Sequence, residues 1–209
     1  MDVKEKPTFK MYHMPTGLVG WIIAWGYSML ELVFTKAYRK FDELLDLQPK
    51  DDVLDVACGS GVYLQKNAAH VHRIAGIDLH DIQISLARQR NRERIAAGTA
   101  EIVLGDSAAL PWEDNTFSAV TCNCLHCFEE PQKSVQEMHR VLRPGGRAVI
   151  CAGYDPDEVK ARKNEQKWRC HCWTEAEMLK MMNDGGFPQV SIDKTWTKKG
   201  GLLIKAVKQ

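Results

Sequence analysis

The residues best suited to chemistry in this chain are acids and glycines at the ends of short apolar runs. The first group is Val53-Leu54-Asp55-Val56-Ala57-Cys58-Gly59-Ser60-Gly61. Its glycines let the backbone turn sharply and approach a ligand with no Cβ in between. Asp55 lies at the end of the run, where a carboxylate accepts hydrogen bonds from an ammonium group or a fixed water. The second group, Ile77-Asp78-Leu79, sets an acid about 20 residues beyond the glycines, the spacing at which a carboxylate takes ribose hydroxyls. The third, Gly105-Asp106-Ser107, offers a carboxylate to an adenine amino group and the Ser107 amide to a ring nitrogen. The three groups together predict a nucleoside-bearing ligand.

A glycine loop and a ribose acid also serve nicotinamide dinucleotides. Position 64 is Leu, however, so the G-x-G-x-x-G pattern is incomplete. A dinucleotide also needs helix N-terminal amides for its pyrophosphate. Acids at 55, 78 and 106 are poor company for phosphate and suit a cationic sulfonium. The expected cofactor is therefore S-adenosylmethionine, with Ala57 and Cys58 counted among the loop residues that hold it.

Methyl transfer from a sulfonium is an in-line displacement at an already activated carbon, so the protein mainly aligns donor and acceptor. A base is needed only where the acceptor holds its proton at neutral pH. The segment Asn123-Cys124-Leu125-His126-Cys127-Phe128 is expected to border the transferring methyl, and His126 is its candidate base. The alternative for His126 is a capping or pocket-lining histidine. Glu129 and Glu130 read as a solvated helix start. Cys122-x-Cys124-x-x-Cys127 and Cys170-His171-Cys172 carry soft ligands of the kind that zinc or a thiophilic substrate such as trivalent arsenic takes. Their spacing is not that of a zinc finger, and strand alternation sends Cys122 and Asn123 to opposite faces. The cysteines are accordingly read as small core residues, with no metal site expected. Trp168, Trp173 and Trp196 either line an apolar acceptor pocket or pack in the core.

These residues need a frame that brings successive strand ends together. From residue 53 onward, short apolar runs alternate with helical stretches. Strands are expected at 53–57, 73–79, 101–104, 117–123 and 147–152. Helices are expected at 60–71 (with Ser60 as N-cap), 81–97, 132–142 and 174–184. Residues 155–172 read as a polar loop. Val190–Trp196 and Leu202–Val207 read as a hairpin turning at Lys198-Lys199-Gly200-Gly201. The alternation predicts an α/β fold: a doubly wound, seven-stranded, mostly parallel Rossmann-like sheet, with the hairpin adding an antiparallel edge strand.

The 209 residues suit a single domain, with a helical lid over 1–46 and a Rossmann-like core over 47–209. Apolar content of 44% and charged content of 26% are ordinary for a globular chain. A net charge of +1 argues against a nucleic-acid partner, which would leave a basic excess. The odd count of 7 cysteines, with no secretory signal before them, predicts free thiols in a reducing cytoplasm. Residues 17–34, Gly-Leu-Val-Gly-Trp-Ile-Ile-Ala-Trp-Gly-Tyr-Ser-Met-Leu-Glu-Leu-Val-Phe, are nearly long enough to span a bilayer. Gly20, Gly26, Ser28 and Glu31 interrupt the run, and it continues into an amphipathic stretch. The segment reads as a pocket-covering helix with no stable membrane span; reversible contact with a membrane surface is the lesser alternative.

The motifs VLDVACGSG, AGIDLH, GDSAALPWEDNTFSAVTCNCLHCF and EMHRVLRPGGRAVI over residues 53–150 resemble the class I, type 11 methyltransferases, which include the ubiquinone/menaquinone-biosynthesis enzymes. The resemblance covers about half the chain and implies S-adenosylmethionine-dependent methylation of a small molecule. It implies that Asp55, Gly59 and Gly61 surround the methionine moiety, Asp78 holds the ribose and Leu79 packs on the adenine. Asp106 and Ser107 would bind the adenine edge and Asn123 the methionyl group. MPTGLVGWIIAWGYSMLE is similar to a leader helix that closes over the cofactor, which makes Tyr12 and Tyr27 candidate lid contacts. The alternative from another class is a non-catalytic regulator that binds the cofactor or a metal.

Overall fold

The computed structural model describes Leu18, Val19, Ile22, Trp25 and Gly26 together with residues 35–67, 70–168, 170–194 and 201–209. Seven strands form one sheet in the order β3-β2-β1-β4-β5-β7-β6. They are β1 (Asp52–Val56), β2 (Arg73–Asp78), β3 (Ala100–Leu104), β4 (Phe117–Cys122), β5 (Leu142–Gly153), β6 (Val190–Asp193) and β7 (Gly201–Val207). The first five pair in parallel, and β7 pairs antiparallel with both β5 and β6. The antiparallel strand is thus not the edge strand that the hairpin reading expects. β7 lies inside the sheet and β6 closes it.

The connections are carried by α1 (Thr35–Leu45), α2 (Val62–Asn67), α3 (Asp81–Arg90), α4 (Arg92–Ala96), α5 (Pro131–Val141), α6 (Glu158–Trp168), α7 (Glu175–Asp184) and a 3-10 turn over Leu125–Cys127. Alternation along the strands splits the core in two. Leu54, Val56, Ala75, Ile77, Val120 and Ile150 face α5 and α7, where Met138 and Met182 pack. Val53, Ile74, Ala119, Val149 and Leu203 face the other side, with Phe41 and Leu45 of α1 and Leu64 of α2. All five residues of β1 are buried, as befits a parallel strand covered on both faces. Residues 35–45, inside the segment expected as a lid, therefore pack into the core through Tyr38, Phe41 and Leu45. Leu18, Val19, Ile22 and Trp25 are helical and exposed. Among the described residues no helix is long and apolar enough to cross a membrane.

Several boundaries differ from the sequence reading for visible reasons. The helix after the glycine loop starts at Val62, so Gly61, not Ser60, precedes it. The stretch 81–97 is broken at Asn91, whose buried side chain bonds backbone rather than solvent. Residues 155–172 contain α6, in which Ala161 and Glu165 are buried. Its Arg162 is held by Glu165 and by Glu177 of α7. Pro144-Gly145-Gly146 lie within β5, where the register with β4 shifts between Phe117 and Ala119. The Thr174 N-cap of α7 is reinforced by a reciprocal capping box with Glu177. The expected hairpin turn at 198–201 falls mostly outside the described residues.

The amino ends of the strands are fastened by ions. Asp52 accepts from Arg143 at 2.6 Å and from His72 at 2.8 Å. Buried Asp51 accepts from Ser118 Oγ and the Gln48 amide, both at 2.7 Å, and pairs with Arg147. The candidate site side chains gather at the opposite, carboxyl ends.

Candidate cofactor and acceptor site

β1 and β4 are neighbours although β2 and β3 lie on the other side of β1, so the winding direction reverses at β1. In open sheets of this kind the ligand crevice lies outside the carboxyl ends at that reversal. The turn leaving β1 bears three residues with positive φ: Ala57 at 58°, Gly59 at 52° and Gly61 at 74°. The Cys58 amide bonds the Ile77 carbonyl at 3.0 Å, carrying the β1–β2 ladder one step past the strand. The next amide, that of Gly59, donates to Asp78 Oδ2 at 2.9 Å. Asp78 Oδ1 accepts from the His80 amide, also at 2.9 Å. The acid at the end of β2 is therefore clamped between the glycine loop and the entry to α3. An ionised carboxylate has about four acceptor sites, so capacity remains for a ligand diol.

Two residues that the sequence reading does not single out hold the loop from behind. Asn91 Nδ2 donates to the Gly61 carbonyl at 3.2 Å and the Ala87 carbonyl at 3.0 Å. Arg90 Nε donates to the Ser60 carbonyl at 3.1 Å. A Cβ on Gly61 would sit 2.8 Å from Asn91 Nδ2 and 2.9 Å from Ala87 Cβ. The glycine is thus required by the approach of α3 as well as by its φ. The interruption at Asn91 in an otherwise helical pattern is the trace this leaves in the sequence.

Cys58 is buried, with its sulfur against the backbone of Gly76, where a Cβ would come within 2.9 Å of it. Its side chain belongs to the core and only its backbone faces the loop. Asp55 is buried on β1, opposite Gly76 and Thr121. Burial pushes the nearby Tyr63 hydroxyl well up, and the charges of Asp42 and Asp55 add to it. Leu79 is 64% exposed directly beyond Asp78. Asp106 is exposed, with Oδ1 accepting from the Ala108 amide at 2.9 Å. The Ser107 hydroxyl is bonded to that of Ser134 on α5 at 2.8 Å. Asn123 is exposed at the end of β4. Asp55, Asp78, Asp106 and Asn123 thus stand at the carboxyl ends of four adjacent strands. Tyr12 and Tyr27 lie outside the described residues.

His126 is half-buried on the 3-10 turn after β4. Its Nδ1 is buried and has no hydrogen-bond partner among the described residues. Its carbonyl accepts from the His171 amide at 2.8 Å, bringing Cys170-His171-Cys172 alongside the turn. Gly153 makes room for that crossing, since a Cβ there would lie 2.5 Å from the His171 carbonyl oxygen and 3.2 Å from His126 Cβ. Trp173 is buried and its amide bonds the Gly153 carbonyl, which places it in the core. Trp196 lies outside the described residues.

Residues 54–150 match the family model described as "Methyltransferase domain". The chain is 33% identical over 141 residues to the demethylmenaquinone methyltransferase of Bacillus cereus (strain B4264), covering 65% of this chain and 59% of that one. It is 30% identical over 125 residues to the demethylmenaquinone methyltransferase of Symbiobacterium thermophilum, covering 58% and 50%. The chain thus spans little more than half the length of these curated relatives. The YcgJ protein from Bacillus subtilis shares the fold, with a TM-score of 0.71 at 17% identity over 84% of this chain and 99% of that one. Relatives bearing enzyme names do not favour a non-catalytic regulator. Residues 54–150 thus carry the match to the methyltransferase domain family, and over this region the chain is similar to demethylmenaquinone methyltransferases.

Proposed function

We propose that the chain transfers a methyl group from S-adenosylmethionine to a small-molecule acceptor. The observation that carries this reading is the clamped carboxylate of Asp78, tied to the glycine loop through Gly59 and followed by exposed Leu79. The surrounding residues fit the cofactor. The cradle turns on positive-φ residues where bulk is excluded, and the strand ends present acids that suit a sulfonium. When bound, S-adenosylmethionine supplies an electrophilic methyl group on a positively charged sulfur.

In this reading Asp78 accepts the ribose hydroxyls, and Leu79 packs on the adenine. Asp106 and the Ser107 amide meet the adenine edge. Asp55, the Ala57–Gly61 backbone and Asn123 surround the methionine moiety, with Tyr27 and Tyr12 as lid contacts. Alignment supplies most of the rate, because a bound near-attack geometry replaces a bimolecular encounter. His126 takes the acceptor's proton, a role supported by a buried ring nitrogen that the described residues leave without a partner. The acceptor is small and not a nucleic acid, consistent with the net charge of +1. Residues 1–209 form one domain, and free thiols suit a reducing cytoplasm. The test is S-adenosylhomocysteine release from S-adenosylmethionine across a panel of small phenolic, quinol and thiol acceptors. Acceptor-dependent release supports the reading, and tight cofactor binding with no release from any acceptor overturns it.

A further inference from the structure

The turn that carries His126 is held by bonds from a part of the chain far away in sequence. The His126 carbonyl accepts from the His171 amide at 2.8 Å, and the Gly153 carbonyl accepts from the Trp173 amide at 3.0 Å. Residues 171–173 thus tie the turn after β4 to the end of β5. Trp173 completes the join: its carbonyl accepts from the Asp155 amide at 3.2 Å, and it forms a parallel bridge with Tyr154. The rings of His171 and Trp173 stack, with centroids 5.2 Å apart and planes 16° from parallel, and both residues are buried. In an extended strip, alternate amides point to opposite edges. The amide between these two, that of Cys172, therefore points away from His126 and Gly153. A side chain meets it there: Glu165 Oε1 accepts from it at 3.1 Å.

Glu165 is built to hold that amide. It is buried on α6, and a buried carboxylate needs a charged partner. Its second oxygen accepts from Arg162 Nη1 at 2.7 Å. Arg162 Nη2 donates to both oxygens of Glu177, at 2.9 and 2.7 Å, and Glu177 closes the capping box of α7. The charge is thus neutralised inside a network that leaves one oxygen aimed at Cys172. An ionised acceptor holds an amide more strongly than a neutral one. The strip is gripped on one edge by the carbonyls of His126 and Gly153 and on the other by Glu165. The turn itself closes with the Cys127 amide on the Cys124 carbonyl and the Phe128 amide on the Leu125 carbonyl. Those bonds leave the His126 carbonyl to the strip.

We propose that Glu165 is a positioning residue for His126, acting through the Cys172 amide and the 171–173 strip. The inference rests on the reading of His126 as a base, but its first test needs no acceptor. The isotope-labelled full chain, saturated with S-adenosylhomocysteine, is compared with Glu165→Ala by amide hydrogen exchange and by histidine ring resonances. Exchange at both Cys172 and His171 is expected to quicken at least about tenfold, and the His126 ring signal, assigned with His126→Gln, to move. Exchange at Gly59 and affinity for S-adenosylhomocysteine should keep the parent values. Glu165→Gln, which retains an acceptor oxygen for Cys172, should restore most of the protection. With an acceptor that supports turnover, Glu165→Ala should lower kcat about ten- to hundredfold, the scale of a small misplacement. Added to His126→Gln it should lower kcat no further, because coupled residues do not add. Quickened exchange at Cys172 alone, with His171 and the His126 signal unmoved, overturns the proposal, as does additivity in the double variant. If Glu165→Ala does not fold, the parent protein decides. Cys172 and His171 must then share one protection factor, and a His171 amide about tenfold less protected overturns the link. Parent-like kcat in His126→Gln refutes the base alone, while coupled exchange still shows Glu165 setting the turn.

Discussion

The Gly59 amide donates to Asp78 Oδ2 at 2.9 Å, so the acid at the end of β2 and the loop at the end of β1 are joined directly. Losing the carboxylate removes the proposed ribose acceptor and one tie of the loop together. Asp78→Ala is expected to weaken S-adenosylmethionine binding at least about tenfold, equivalent to about 1.4 kcal/mol. Asp78→Asn, which keeps an acceptor oxygen for Gly59, should lose less. Titration calorimetry with S-adenosylhomocysteine checks both, and equal affinity in Asp78→Ala and the parent would refute the placement of the ribose.

Gly61 and Gly98 separate two reasons for a glycine. Both have positive φ, 74° and 69°, but a Cβ on Gly98 would meet nothing within 4 Å. Gly98→Ala should cost about 1–2 kcal/mol, the left-handed backbone penalty alone. Gly61→Ala should cost a further 1–3 kcal/mol, roughly the range for overpacking, because Asn91 and Ala87 must move. Urea midpoints at constant m-value measure the difference, and equal losses would show that α3 yields freely.

Asp52 carries the pH dependence. Burial works to raise its pKa, but hydrogen bonds from His72 and Arg143 and the charges of Arg143 and Arg73 outweigh it and hold the carboxyl below its ordinary value. A depressed folded-state pKa gives stability that is present above the unfolded value and is lost as pH falls through the folded one. The window therefore lies below about pH 4, the unfolded carboxylate region. Asp52→Asn should be less stable at pH 7 and show a shallower decline into acid. An unchanged slope between pH 5 and pH 2 would exclude Asp52 as a contributor.

His126→Gln distinguishes a base from a spacer. Loss of general base catalysis typically costs about 10²–10⁴ in rate, with cofactor affinity unchanged. The comparison of kcat across pH in parent and variant is the decisive measurement: a base removes one limb of the profile, whereas a lining residue shifts KM and leaves the limb in place.

The strand ends were legible because chemistry and periodicity coincide there: Asp78 ends its strand, Asp106 and Asn123 follow theirs, and Asp55 stands one residue before the end of β1. α6 was not legible, since Arg162 ties it through Glu165 and Glu177 instead of an apolar stripe. Asn91 was hidden for a related reason. Its bonds to Gly61 and Ala87 belong to tertiary packing, and a helical pattern reads straight through it. The position of β7 was out of reach because two apolar strands joined by a turn do not say which one meets the sheet.

That position orders the assembly of the molecule. β6 precedes β7 in the chain, yet it touches the sheet only through β7. Until residues 201–207 dock, β5 presents an open, apolar edge, and β6 has nothing to join. Unpaired edges of this kind invite pairing with other chains. Cys151, Val149 and Ile150 are therefore kept from intermolecular pairing only once β7 has docked. An aggregation hazard is written into the order of two short strands.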